Sequence, residues 1–481
     1  MSEPAVATDI PRFDPARRRA VTFALALISA TAAIEGTVVS TAMPTIVGDL
    51  QGLSLYSWVF SLFLLTSTVT MPLWGRVSDL FGRRPVYLTG LGVFLLGSAL
   101  SGLAQNMTQL ISFRMVQGLG AGSLMTLGMT IIGGLFGLEQ RARMQGYVSA
   151  MWGVASLLGP LLGGVLTDLA SWRWVFYVNL PFGLVAIALL AGALPDAVVR
   201  RRHTFDWAGV VLFTGGISAL LFGILEAGRV GVWTGGDVMA PLSVAALALA
   251  AFVPVERRAS EPIVPFRLFR HRTVLAAGVN GFLSGMAMFG AISFVPLFLQ
   301  HVGGMSATAA GVVLIPFVLG WVAMSIVSAR LVLRVGYRAP VVTGMTCLAA
   351  AFLLLTRWAP GLSQTTAMRD ALLGGIGMGL TFVPMLLSAQ SAVARSDLGA
   401  ATSLTQFLRT IGGAVGLSVM GAVMVRRLAS GLAMAEALHG VFVVGLAVSV
   451  LALASAFLVP AGRARELARP DMREEPTRAG G

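Results

Sequence analysis

Fourteen runs of about twenty apolar residues, divided by short polar segments, constrain this chain more than any other feature. They begin near Ala20, Tyr56, Val86, Thr108, Met144, Trp174, Phe205, Val238, Thr273, Thr308, Pro340, Asp370, Thr402 and Leu438. A helix of that length matches the hydrocarbon core of a bilayer. Lipid offers the backbone no hydrogen bonds, so an isolated run crosses it as a helix. The 481 residues are 56% hydrophobic and 11% charged, against about 25% charged in a soluble domain. The expected fold class is therefore all-α and integral to the membrane, with 14 transmembrane helices and no aqueous domain.

The basic residues test that count. All 34 are Arg. With the N-terminus placed inside and the runs alternating, 26 arginines fall on the inner side and 6 on the outer, while Arg114 and Arg409 lie within runs. Removing one run would invert every later assignment and destroy this positive-inside asymmetry. Both termini and the Arg200–His203 segment are thus expected in the cytoplasm. The net charge of +13 serves topology here and does not indicate a nucleic-acid partner. The N-terminus has the outline of a signal peptide, but its apolar run continues through Glu35 to Pro44, so cleavage is not expected.

Glu35 stands inside the first run, where an ionisable side chain costs about 2.5–3.5 kcal/mol on insertion scales. Such a residue is either a packing acid permanently paired to a base or a proton or cation site. Arg114, in the fourth run, lies at a similar depth, close enough for a permanent ion pair or a switchable relay. Burial favours the neutral acid and a nearby cation favours the carboxylate. Arg409 in the thirteenth run reads equally as a cavity residue or as a packing or gating contact. Glu226 lies near the outer end of the seventh run, where snorkelling competes with function. Trp172, Arg173, Trp174 and Tyr177 read as an interfacial anchor rather than a site. The single Cys347 and four scattered His residues offer no metal-ligand spacing, and no hydrolase, nucleotide-binding or zinc-protease motif occurs. No catalytic residue, cofactor or metal is expected. Uphill transport would therefore draw on an ion gradient.

The chain also repeats itself. The segment Gly75–Arg84 recurs at an offset of 254 as Ala329–Arg338, preserving Arg76, Gly82 and Arg84 as Arg330, Gly336 and Arg338. The run Gln117–Gly122 is echoed by Gly374–Gly379. This divides the chain into a cytoplasmic tail (1–19), a six-helix half (20–195), an inserted pair with its links (196–272), a second six-helix half (273–460) and a C-terminal tail (461–481).

On these residues the chain resembles the major facilitator superfamily. Gly75, Asp79, Gly82, Arg83 and Arg84 resemble its signature loop, and Arg114, Gln117, Gly118, Gly120 and Ala121 its motif in the fourth span. The stretch containing Gly153, Gly159, Pro160, Gly163 and Gly164 is similar to the antiporter motif of the fifth. Glu35 through Pro44 resembles a motif of the fourteen-span drug:proton antiporter branch, with Glu where Asp is commoner. The resemblance implies a cytoplasmic gate in which Asp79 meets the start of span 13 near Thr402. It also implies proton coupling through Glu35 and Arg114, and a cavity whose candidates are Glu35, Gln117, Glu226 and Arg409. The implied function is multidrug efflux: amphipathic, often cationic, small molecules leave while protons enter across the cytoplasmic membrane. Membrane lipid and these solutes are the expected partners, and the protein is expected to be a monomer. A dedicated exporter of one endogenous antibiotic or lipid would share every motif. A non-transporting receptor or membrane enzyme would need a domain or catalytic cluster that the sequence does not show.

Overall fold

The computed structural model describes residues 15–135, 154–155, 158–194, 206–230, 234–259, 262, 266–393 and 398–461. The tails before Pro15 and after Ala461, the Arg200–His203 segment and Gly153 lie outside the described residues, and so does the side chain of Asp79. Among the described residues the regular structure is helical. The long helices are α1 (Pro15–Leu50), α2 (Tyr56–Phe81), α3 (Arg83–Gly102) and α4 (Met107–Leu135). The apolar helix α5 (Leu158–Leu169), then α6 (Trp174–Ala193), α7 (Trp207–Val230) and α8 (Gly236–Arg258) follow. The last six are α9 (Arg272–His301), α10 (Ala307–Val335), α11 (Arg338–Leu355), α12 (Gln364–Ser391), α13 (Leu398–Ala429) and α14 (Met434–Ala456).

Twelve of these are long and apolar enough to cross a membrane. Helix α4 and the shorter described helix α5 fall outside that group, so the expected count of fourteen is met only in its coarser form. The molecule is an all-helical, multi-pass membrane protein.

Helix pairing follows one scheme twice. Helix α4 packs on α2 and α3, α1 on α6, and α3 on α6; correspondingly, α12 packs on α10 and α11, α9 on α14, and α11 on α14. Helix α13 lies against α2, and α1 against α9 and α10. The pair α7–α8 sits outside this arrangement, with α7 against α13 and α2.

The glycines of α4 explain its close approach to α2 and α3. A Cβ on Gly118 or Gly122 would collide with α2 at Thr66 and Thr70, and one on Gly120 would strike the backbone of α3 at Phe94. In α12, Gly375 and Gly379 meet α10 at Phe317 and Trp321, and Gly377 meets α11 at Gly344 and Leu348. Without a hydrophobic force between helices in lipid, such small-residue contacts carry the packing. The internal repeat is therefore a repeat of helix contacts.

The signature segment is less of a loop than its sequence suggests. Helix α2 runs to Phe81, and only Gly82 separates it from α3. Gly82 has φ 94° and its counterpart Gly336 φ 81°, a region that side chains disfavour. No Pro or Gly stands in the turn immediately before either glycine, so the polar residues there stay helical. Just beyond each turn, Arg84 Nη2 donates to the Ala191 carbonyl in the last turn of α6. Arg338 Nη2 donates to the Phe457 carbonyl directly after α14. Each arginine satisfies a carbonyl that the helix end leaves open, beside the negative pole of the helix dipole.

Candidate functional site

Polar side chains from four helices meet around Glu35. The carboxylate is 3% exposed and Arg114 1%. Glu35 Oε1 pairs with Arg114 Nη1, and Glu35 Oε2 accepts a hydrogen bond from Asn179 Nδ2 at 2.7 Å. Arg114 Nη1 also donates to Gln117 Oε1 at 2.6 Å. Ser98 Oγ closes the network, accepting from Asn179 Nδ2 at 2.9 Å and Gln117 Nε2 at 3.2 Å while donating to the Phe176 carbonyl at 2.8 Å. The Arg114 guanidinium lies 3.9 Å over the Phe63 ring, a cation–π contact that strengthens away from water.

Local sequence explains the convergence. Arg114 and Gln117 are three apart on α4 and share a face. Gly97 lets the α4 backbone approach α3 at Gln117, where a Cβ would fall 2.3 Å from the Gln117 nitrogen. Asn179 arrives from the beginning of α6. Charge-assisted hydrogen bonds of this kind are strong, and a buried pair that loses one partner leaves a costly unpaired charge. Protonating Glu35 would remove the negative member of a network that ties α1, α3, α4 and α6 together.

Helix α5 flanks this site. Gly159 and Gly163 sit against Thr37 and Thr41 of α1, one turn apart. Gly164 faces Ala307 and Thr308 of α10, and Gly311 of α10 faces the Pro160 carbonyl. The stretch therefore lies between α1 and α10. Asp168, at the end of α5, accepts from Thr308 N at 2.8 Å and Ala307 N at 3.3 Å, the exposed N–H groups at the start of α10. Further hydrogen bonds join the two groups of helices toward the same end of the bundle. Gln300 Nε2 donates to the Thr41 carbonyl at 2.8 Å, Tyr56 Oη to the Ser293 carbonyl, and Ser61 Oγ to the Ala414 carbonyl at 3.3 Å.

Of the residues singled out in the sequence, Glu35, Arg114 and Gln117 are in mutual reach. Glu226 is not among them; it is half-buried on α7, which packs on α8, α13 and α2. Arg409 lies on α13 with its guanidinium 4.3 Å over the Phe382 ring of α12. Gly75 lies within α2, Gly82 separates α2 from α3, and Arg83 and Arg84 open α3. Sequence reasoning missed Ser98 and Asn179, and it read Trp172–Tyr177 only as an anchor. Within the protein, Trp172 Nε1 donates to Asp49 Oδ2 at 2.8 Å and Arg173 pairs with the same carboxylate at 3.3 Å. The stretch also delivers Asn179 to Glu35. A buried amide at membrane depth carries the same signal as a buried acid, in weaker form.

The sequence profile described as "Major Facilitator Superfamily" matches residues 25–417. The chain is 41% identical over 392 residues to the "Multidrug transporter protein MdtP" of Bacillus subtilis (strain 168), a match covering 82% of this chain and 72% of that protein. It is 34% identical over 391 residues to the "Multidrug resistance protein 3" of the same organism, covering 81% and 76%. Among solved structures, a mutant of the nucleoside transporter NupG superposes with a TM-score of 0.68 over 91% of this chain and 99% of that one. Its sequence identity is 11%, a likeness of fold. The chain belongs to the major facilitator superfamily.

Proposed function

We propose that this protein exports amphipathic, often cationic, organic molecules across the cytoplasmic membrane in exchange for protons. It is a drug-efflux transporter by kinship with the two Bacillus subtilis proteins. The observation that carries the coupling is Glu35, buried with one oxygen on Arg114 and the other on Asn179.

In this reading α4 and α5 are spans as well, giving fourteen. The halves are 20–195 and 273–460, the 196–272 pair is inserted between them, and both tails, 1–19 and 461–481, are cytoplasmic. The end joined through Asp168, Gln300 and Tyr56 faces outward, so this conformation is closed to the outside. Gly75, Asp79, Gly82, Arg83 and Arg84 form the cytoplasmic gate, and Gly159, Pro160, Gly163 and Gly164 guide the sliding of α1 against α10. When the outer side opens, a proton reaches Glu35, frees Arg114 and Asn179, and lets the substrate leave. When the inner side opens, the proton departs and the carboxylate rejoins its partners. The protein works as a monomer.

The test is substrate-induced proton release by purified protein in weakly buffered detergent solution, using a cationic dye. Wild-type protein should release protons on binding, and Glu35→Gln should release none. Release by the variant equal to wild type would remove Glu35 from coupling.

A further inference from the structure

A second embedded charge, Arg409, lies on α13, outside the Glu35 network. Arg409 is eleven residues into α13, about 17 Å along its axis. Among the described residues no carboxylate pairs with it. Its Nε and Nη1 atoms are buried without a hydrogen-bond partner, and so is Oε1 of Gln406, one turn earlier on the same face. The guanidinium rests on Phe382, whose ring meets Trp321 edge-on with centroids 6.1 Å apart. Gly285 of α9 makes room for Arg409, because a Cβ there would fall 2.1 Å from its carbonyl oxygen.

Phe382, Trp321, Gln406 and Arg409 are each only partly covered. Toward the start of α13, the side chains of Gln390 and Thr402 meet at 2.8 Å. A strip of aromatic and polar groups thus runs along the α12–α13 seam, ending in a planar cation with unused donors.

We propose that Arg409, Gln406, Phe382 and Trp321 form a subsite for the anionic group of an amphipathic aromatic substrate, a carboxylate being the simplest case. Arg donors arranged as a fork suit a planar carboxylate, and an anion there would supply the missing partner of a buried charge. The rings take the attached aromatic body. Gln406 Oε1 offers an acceptor to a donor on the same ligand. The proposal rests on the export reading for its physiological meaning, but its test does not.

Equilibrium binding to the purified full-length protein is measured by fluorescence polarisation for a rhodamine bearing a free carboxyl group and for its methyl ester, which keeps the cation and loses the anion. Arg409→Gln should weaken the free acid at least tenfold and the ester threefold or less. Arg409→Lys, which keeps the charge without the fork, should fall between. Equal weakening of both dyes, no weakening, or wild-type protein that binds neither would overturn the subsite. Wild-type protein supplies a check that needs no variant. 1-Naphthoate should displace the free-acid dye at a concentration at least tenfold below that required of neutral 1-naphthamide, and equal displacement would overturn it too. If the acid dye binds through Arg409 but cells expressing the protein do not expel it, the export reading fails for that compound and the subsite stands.

Discussion

The two six-helix groups share a skeleton and differ in their charges. Gly118, Gly120 and Gly122 seat α4 on α2 and α3, and Gly375, Gly377 and Gly379 seat α12 on α10 and α11 in the same way. Yet the spacing that matches these glycines puts Ala371 and Gly374 where α4 carries Arg114 and Gln117. The first group encloses a cation, an acid and their hydrogen-bond partners. Among the described residues, the second holds one mid-helix cation, on α13, lying on an aromatic ring. Packing residues repeat because both groups solve the same problem of close helix contact in lipid. Charges at that depth are costly, so an embedded charge in one group without its echo in the other marks a division of labour.

The largest expected effect comes from neutralising the paired side. Glu35→Gln keeps size and hydrogen-bonding capacity but fixes the uncharged state. Uphill, pH-driven export in proteoliposomes should fall at least a hundredfold, with insertion and downhill exchange retained. Glu35→Asp should keep partial activity. Concentrative transport by Glu35→Gln at the wild-type rate would move the search for the coupling acid to Glu226.

Removing each arginine sharpens the contrast. Arg114→Leu leaves Glu35 buried beside Asn179 without its cation, so thermal stability in detergent at neutral pH should drop by several degrees. Arg409→Leu removes a charge that pairs with no carboxylate among the described residues, and burying an unpaired charge is costly. Its melting temperature should hold or rise. A loss of the same size in both variants would mean that Arg409 has a structural partner, and the asymmetry between the groups would disappear.

The legible parts of this molecule are those written in local pattern. Apolar runs and the distribution of Arg gave the helices, and motif spacing gave the repeat. Depth along two runs was enough to bring Glu35 toward Arg114. What stayed hidden depends on partners that leave no local trace. Arg84 and Arg338 bind backbone carbonyls, and every residue has one of those. Ser98 is one hydroxyl in an apolar run, where serines mostly bond their own helix. Asn179 sits two residues beyond Tyr177, in a stretch whose aromatic residues suggest the membrane interface. The helical course of α2 through Phe81 was obscured by the polarity of its last turn, which implies a loop where the only break is Gly82.

Asn179 gives a smaller prediction within the paired group. It touches Glu35 and Ser98 but bears no charge. Asn179→Ala removes one donor from the carboxylate and leaves Arg114 in place. Export should fall about tenfold, because the carboxylate loses one of its two hydrogen-bonded partners. Asn179→Asp should be worse, since it sets two acids against one cation. Export by Asn179→Ala at the wild-type rate would make Asn179 a packing residue only.

The smallest effect distinguishes helix capping from gating at the two turns that repeat. Arg84 and Arg338 follow equivalent glycines and reach equivalent places, the ends of α6 and α14. A cation at a helix C-terminus contributes typically 0.3–1 kcal/mol, so Arg84→Ala and Arg338→Ala should each lower thermal stability slightly and by the same amount. Their transport rates are where the two groups should part. If Arg84 only caps α6, both variants should export within about fivefold of wild type, since a contribution of that size is worth a factor of about two to five in an equilibrium. If Arg84 also belongs to the cytoplasmic gate with Asp79, its loss should slow export several times more than the loss of Arg338. The second turn carries Leu333 in place of Asp79 and has no acid to pair at that position. Asp79→Asn then supplies the reference, because a gating arginine should add little to the defect of that variant, whereas a capping arginine should add its full, small increment. Equal rates for Arg84→Ala and Arg338→Ala, together with additive effects of Arg84→Ala and Asp79→Asn, would reduce the arginine of the first turn to the same anchoring task as its copy in the second.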